Sequence, residues 1–331
     1  MRSPPEEPPI DVTSPRPATA PRPLSRRSRA RAGRGIALAG LVLLAVMVGT
    51  WVPGLVGTAA AALLPWSGAA LALVAVLALF LARRVLLLLL VPALVWALAM
   101  FPSLPGVGAS PPTDAAALTI VSQNVRAHSG GAAASAGELA ALGADVIAMA
   151  ELDADSLTVA REALASEYPH AAAVGTVGIW SRFPIDDVQP LALGLDWKRA
   201  LRAQVQTPSG TVAVYVMHAA SVRPGEQQGR DAMLAGIAEA AASDPAEAII
   251  VVGDFNAASA DPALGAIRSE LTWVRPTDGT LGLSWPAAVP LVRIDHVFVR
   301  GLDVERSTTQ RAGSSDHLAT VTTVSIPSAT P

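Results

Sequence analysis

Six segments of this chain place polar side chains able to do chemistry in or beside apolar runs: four end a run, the fifth lies within an expected strand and the sixth just precedes the last one. They are Ser122-Gln-Asn-Val-Arg126, Ala150-Glu-Leu-Asp153, Met217-His-Ala-Ala-Ser221, Gly253-Asp-Phe-Asn256, Arg293-Ile-Asp-His-Val297 and Gly313-Ser-Ser-Asp-His-Leu318. The fourth is the most informative. Ala248-Ile-Ile-Val-Val-Gly-Asp-Phe-Asn256 is a mostly β-branched run that reads as a strand buried on both faces. Residues i and i+2 of an extended segment point the same way, so Asp254 and Asn256 leave the strand end side by side. A carboxylate acceptor beside an amide donor suits a hydrated cation and a phosphate oxygen. Gly, Asp and Asn are also ordinary turn residues, so one such segment decides nothing. Six at comparable positions point to one site, because ligands of α/β folds collect outside strand ends.

The elements that must position these residues follow from periodicity. Expected strands are 118–124, 145–150, 177–180, 200–206, 211–218, 248–254, 293–299 and 318–324, with helices at 135–142, 154–166 and 226–242. Hairpin spacing mixed with helical crossovers predicts a layered α/β domain with mixed sheets over residues 118–325. A Pro- and Gly-rich stretch, 102–117, reads as a linker, and 326–331 as a tail.

The N-terminal third is different. Residues 1–34 are rich in Pro, Ser and Arg and are expected to be disordered. Residues 35–101 hold three uncharged apolar segments, 36–52, 59–82 and 85–101, each long enough to cross a hydrocarbon core as a helix. Arginines cluster before the first segment, and Arg83-Arg84 separates the second from the third. Basic residues stay cytoplasmic, so three crossings place the N-terminus inside and residue 102 onward outside. Trp51 and Trp66 flank the outer turn. A cleaved signal peptide processed near alanines 59–62 is the competing reading; it also leaves the remainder outside.

Charge is segregated. Residues 1–113 carry a net +7, so the remainder carries −10 within the overall −3. An acidic domain is a poor nonspecific partner for nucleic acid. The chain has no cysteine, which excludes disulfides and thiolate metal sites. Lys198 is the only lysine beside 23 arginines among the 24 basic residues. Individual arginines therefore carry little information.

These segments, in this order, resemble the endonuclease/exonuclease/phosphatase superfamily, with Gly-Asp-Phe-Asn and Ser-Asp-His as the specific motifs and Gly178-Ile-Trp-Ser-Arg-Phe-Pro-Ile185 as a supporting one. The three-span anchor is similar to that of membrane-bound teicoplanin-resistance proteins within it. The resemblance implies a DNase-like four-layer α/β sandwich of two mixed β-sheets, preceded by three transmembrane helices. It implies metal-assisted phosphoester hydrolysis with Mg²⁺ or Mn²⁺, for which hard oxygen ligands are suited. Glu151 would be the principal metal ligand, with Asn124 beside it and Asp316 completing the shell or orienting His317. Asp254 would orient or deprotonate the attacking water, and Asn256 would donate to a phosphoryl oxygen. His218 and His317 would flank the phosphate, and Asp295 would hold one of them, by family precedent His317. Arg126 would contact phosphate or pair with Glu151. His296 alternates with Asp295 and should face away. His128 and His170 fall in expected loops. The implied partners are the bilayer and a phosphorylated substrate of the lipid or envelope-compound kind. An extracytoplasmic nuclease is the alternative within the class, and an inactive envelope- or antibiotic-binding module the alternative outside it.

Overall fold

The computed structural model describes residues 26–105, 117–194, 197–223, 225 and 227–327. Most of the expected N-terminal segment 1–34, the centre of the linker 102–117, Glu226 at the start of the expected 226–242 helix, and the end of the tail 326–331 lie outside the described residues.

The described residues begin with an apolar helical bundle. Helix α1 (Arg26–Gly49) and helix α2 (Leu55–Leu81) are joined by a short turn. A 3₁₀ stretch, Arg83–Leu89, then leads into α3 (Leu90–Met100). All three stretches are long and apolar enough to cross a membrane. Two features differ from expectation. Helix α1 runs back through the basic cluster to Arg26, because arginine is a good helix former. The third span is not α-helical throughout. Pro92 falls in the first turn of α3, where a proline is tolerated, and its ring opposes an α-helical turn before it.

The rest is a four-layer sandwich. The first sheet has the order β11-β12-β1-β2-β4-β3 and the second β5-β6-β7-β8-β10-β9. The first comprises β1 (Leu118–Asn124), β2 (Val146–Ala150), β3 (His170–Val174), β4 (Val177–Ser181), β11 (Asp303–Gln310) and β12 (Ala319–Ser325). The second comprises β5 (Ile185–Leu191), β6 (Ala200–Thr207), β7 (Gly210–His218), β8 (Ile249–Asp254), β9 (Thr272–Trp273) and β10 (Asp295–Arg300). Both are mixed: β1 runs parallel to β2 and β7 parallel to β8, while the other neighbours are antiparallel.

Between the sheets lies a core of alternating side chains, among them Ile120, Ala148, Val214, Val216, Ile250, Val252, Val297 and Val299. Each valine or isoleucine among them contributes about 1.5–3 kcal/mol when fully buried. The outer face of the first sheet packs on α4 (Ala132–Ala141) and α5 (Ala154–Leu164) through Leu139, Met149, Leu164 and Trp180. The outer face of the second packs on α6 (Gln227–Ser243) and α7 (Gly265–Glu270) through Leu234, Ile237, Val251 and Phe298. His170 is not in a loop, since it opens β3. Asp295 is the first residue of β10, so Arg293 and Ile294 precede the strand instead of lying in it.

Candidate active site

Sheet register brings the polar residues together. In the second sheet His218 pairs with Asp254 across β7 and β8, and Asp254 pairs with Asp295 across β8 and β10. Three neighbouring strands thus end in one row. Alternation sets the direction of that row: Val214 and Val216, Ile250 and Val252, and Val297 and Val299 all point into the inter-sheet core. His218, Asp254 and Asp295 continue the same period-2 faces and therefore point inward. In the first sheet Asn124 pairs with Ala150. Glu151 follows immediately, and His317 lies just before β12. Each sheet supplies half of one cluster where the apolar core ends.

Unusual backbone conformations at three positions make this possible. Gly253 has φ 140°, and a Cβ there would meet the Met217 carbonyl oxygen at 1.9 Å, so the close β7–β8 approach requires glycine. Glu151 and Asn256 both adopt positive φ, 59° and 47°. That conformation is uncommon for a side-chain-bearing residue and tends to occur at functional sites.

Asp254 is the hub. Its Oδ2 accepts from Asn124 Nδ2 at 3.0 Å and from Asn256 Nδ2 at 3.3 Å, and its Oδ1 accepts from the Asn256 backbone N–H at 2.8 Å. His218 Nε2 lies 4.0 Å from it and His317 Nε2 3.9 Å. Asn124 Nδ2 also donates to Glu151 Oε1 at 2.9 Å. The second Glu151 oxygen accepts from the Ala127 N–H at 3.1 Å. Glu151 Oε1 is 3.5 Å from His218 Nε2. Asp295 Oδ2 is 2.9 Å from His317 Nδ1. Ser315 fixes this segment by donating its hydroxyl to the Asn124 carbonyl and accepting from the His317 N–H at 3.0 Å.

The charges follow from burial. Burial, with Asp295 beside it, raises Asp254 to about 7. Burial opposes the imidazolium of His317, but the Asp295 charge and hydrogen bond more than offset it and push His317 up to about 10. Burial, reinforced by Arg199 and His317, holds His218 well below its ordinary range. One imidazole is therefore cationic at neutral pH and the other neutral, with a lone pair to offer.

Among the described residues, two groups each bring their ligating atoms within 4.8 Å of one another: Glu151, His218 and Asp254, and Asp254, Asp295 and His317. The Glu151 side chain keeps 30% of its exposure, so the first group opens to solvent. Carboxylate and imidazole donors without thiolate fit a hard divalent cation. Asn124 is placed as a brace: its amide nitrogen joins two carboxylates while its Oδ1 accepts from the Arg126 N–H at 2.9 Å. Asp316 is in neither group, but its charge adds to the rise of neighbouring His317, and its carbonyl accepts from the Ala287 N–H at 2.7 Å. Arg126 is exposed with φ 60°. His128 is also exposed and lies 2.9 Å from Asp153. His296 turns outward as expected, buried against Trp273 and the Ala257 carbonyl at 3.1 and 2.9 Å.

Arg199 has no role in the sequence reading. It is buried, and its NH2 lies 2.6 Å from both ring nitrogens of His218. Its guanidinium stacks 4.7 Å over Trp197. The arginine-rich composition hid it. The signal was its place immediately before a strand whose other end leads to the His218 strand.

A two-sheet α/β sandwich with a carboxylate–imidazole cluster where its inter-sheet core ends defines a hydrolase-like architecture. The chain matches the Endonuclease/Exonuclease/phosphatase family over residues 108–317, and it belongs to that family. Its structural neighbours agree. A family protein from Bacteroides thetaiotaomicron superposes with TM-score 0.55 at 18% identity, covering 65% of this chain and 99% of that one. A Bacteroides vulgatus family protein gives 0.54 at 15%, covering 64% and 100%. D. rerio TDP2 complexed with single-strand DNA product gives 0.54 at 20%, covering 63% and 99%. At these identities the likeness is one of fold. No curated protein sequence matches the chain.

Proposed function

We propose that this chain is a membrane-anchored, externally facing phosphoesterase dependent on Mg²⁺ or Mn²⁺. The observation that carries the reading is the position of Asp254, shared between an open carboxylate–imidazole group and a buried Asp295–His317 pair. Glu151 and His218 would hold the cation, with Asn124 bracing Glu151. A cation there supplies charge to offset that building on the phosphoryl oxygens. Asp254 takes up the proton of the attacking water or orients it, and Asn256 keeps that carboxylate aimed. His317, protonated and held by Asp295, stabilises the phosphoryl oxygens or protonates the leaving group. Arg199 backs His218. Asp316 would act through its neighbour His317.

The orientation rests on the basic residues. Arg26 to Arg34 and Arg83-Arg84 lie at one end of the bundle, where Gly33 approaches Ala82 and Val85. That end would be cytoplasmic. A C-terminal alkaline phosphatase fusion should then be active; an inactive but well-expressed fusion would reverse the topology. The likeness to teicoplanin-resistance proteins rests on this anchor alone.

The test of function is a substrate panel on the full chain in nanodiscs with Mg²⁺. Lipid phosphates and soluble phosphoesters should turn over faster than plasmid DNA, given the −10 of residues 114–331. Preferential cleavage of DNA would support the nuclease alternative, and cation binding without hydrolysis of any ester would support a binding module.

A further inference from the structure

The catalytic end of the sandwich is also the end that meets the bundle. Thr58 on α2 accepts from Gln227 and Arg230 of α6 at 3.0 and 2.9 Å. Ala61, Pro65 and Met100 line a small cavity shared with Ala258, Ala260 and Leu283. Trp66, a turn deeper on α2, donates its indole N–H to the Leu291 carbonyl at 2.9 Å.

That last contact fixes the depth of a loop. Helix α2 is 27 residues long, about 40 Å at 1.5 Å per residue. A hydrocarbon core of about 30 Å, measured from the Arg83-Arg84 end, reaches to near the level of Ala61 to Trp66. Trp96 joins this zone, donating to the Leu64 carbonyl at 3.0 Å. Indoles collect at the boundary between hydrocarbon and headgroups. Leu291 therefore sits at that boundary.

The loop around Leu291 has the composition the boundary favours. Residues 281–292, Leu-Gly-Leu-Ser-Trp-Pro-Ala-Ala-Val-Pro-Leu-Val, contain no ionisable side chain in an otherwise acidic domain. Trp285, Val289 and Leu291 are 40%, 63% and 42% exposed, which is unusual for adjacent large apolar side chains on a water-facing surface. The loop is nonetheless well held. Trp285 and Val292 exchange backbone hydrogen bonds at 3.0 Å, Leu318 N–H donates to the Ser284 carbonyl at 2.8 Å, and Ala287 N–H donates to the Asp316 carbonyl. Its apolar side chains are thus presented by a braced loop, and that loop is tied to the residue preceding His317.

We propose that loop 281–292 is a membrane-contact element seated in the lipid interface beside Trp66, and that the substrate is a phosphate ester in the headgroup of a bilayer lipid. The contact itself stands on geometry; the substrate class rests on the phosphoesterase reading. A lipid headgroup needs no extraction when the hydrolytic cluster is held at the surface by α2 on one side and this loop on the other.

The absence of cysteine allows a direct test. Val289→Cys, spin-labelled in the full chain in phosphatidylcholine–phosphatidylglycerol nanodiscs, should be relaxed by oxygen and shielded from an aqueous nickel chelate. Val188→Cys, exposed on edge strand β5, is the water-facing reference. A Val289 label as open to nickel as the Val188 label would overturn the membrane contact, whatever the enzyme does. For the substrate class, Val289→Glu combined with Leu291→Glu should lower kcat/KM on a nanodisc-embedded lipid phosphate by about tenfold or more, because carboxylates resist the interface. Hydrolysis of soluble bis-p-nitrophenyl phosphate should stay unchanged. An equal loss on both substrates would overturn the lipid assignment. If the unaltered protein cleaves neither ester, the phosphoesterase reading fails while the spin-label result stands on its own.

Discussion

Asp295 in the second sheet and His317 on the segment leading into the first lie 2.9 Å apart, and their contact ties the sheets together where the apolar core stops. Asp295 opens β10 in the second sheet, and His317 lies two residues before β12 in the first. The same contact sets the charge of the imidazole. Burial alone would lower His317, whereas Asp295 brings it up to about 10. If His317 acts as the imidazolium, activity is retained below that pKa and lost as pH rises through it. Asp295→Asn removes the carboxylate and lowers the pKa. The alkaline limb of kcat/KM, measured at saturating Mg²⁺, should therefore move to lower pH by at least about one unit. An unmoved limb would separate Asp295 from the chemistry.

Asp254→Ala and His317→Ala test the hub directly. Each removes a positioned group and should lower turnover by at least about two orders of magnitude. Circular dichroism and thermal melting should show both variants folded, because the inter-sheet core beneath them is apolar. Near-normal rates in both would place the chemistry elsewhere.

These residues were legible in the sequence because each lies at one end of an apolar run, and strand ends are where a buried pattern meets a polar one. Their convergence was not. The pairings of His218 with Asp254 and of Asp254 with Asp295 are facts of register, which a single sequence does not encode locally. The unpredicted strands, β3, β5, β9 and β11, are the four edges of the two sheets. Edge strands carry the polar and small residues that discourage edge-to-edge pairing. Asp186, Asp187 and Pro190 in β5, three alanines in β3, and Asp303, Glu305 and Arg306 in β11 therefore conceal the extended backbone. Arg199 and Arg230 were hidden by a composition in which arginine is nearly the only cation.

On the outer face of the second sheet, Arg202 grips Asp244 through two bonds of 2.6 and 3.0 Å, and Tyr215 donates to the same carboxylate at 2.6 Å. Burial would raise Asp244, but Arg202 and Tyr215 outweigh it and hold the carboxyl down at about 2. A depressed carboxyl contributes stability that is present above its unfolded value, near 4, and lost as pH falls through the folded value. Asp244→Asn should cost about 1–3 kcal/mol at neutral pH, because buried Arg202 keeps its 2.7 Å bond to the half-exposed Asp187 but loses the charge of its buried partner. The difference between variant and unaltered protein in urea unfolding should shrink between pH 4 and pH 2. A pH-independent difference would mean that the cost is one of packing and not of charge.

Arg230 links the anchor to the site loop. It is fully buried in α6 and donates to Thr58 on α2 at 2.9 Å, to the Asn256 carbonyl at 2.9 Å and to Asp261 at 2.8 Å. Asn256 in turn aims Asp254. Arg230→Met leaves Asp261 buried and unpaired, so a loss of about 3–5 kcal/mol is expected, and this variant reports on folding more than on coupling. Thr58→Val is the sharper probe. It keeps the shape, removes one acceptor shared by Gln227 and Arg230, and should cost only about 1–3 kcal/mol. Because Arg230 keeps Asp261 and Asp231, the domain should stay folded while the Asn256 turn loosens. The expected result is a lower kcat with little change in KM, measured in nanodiscs on a soluble ester. If Thr58→Val lowers the melting temperature and leaves kcat untouched, the anchor supports the domain without tuning its chemistry.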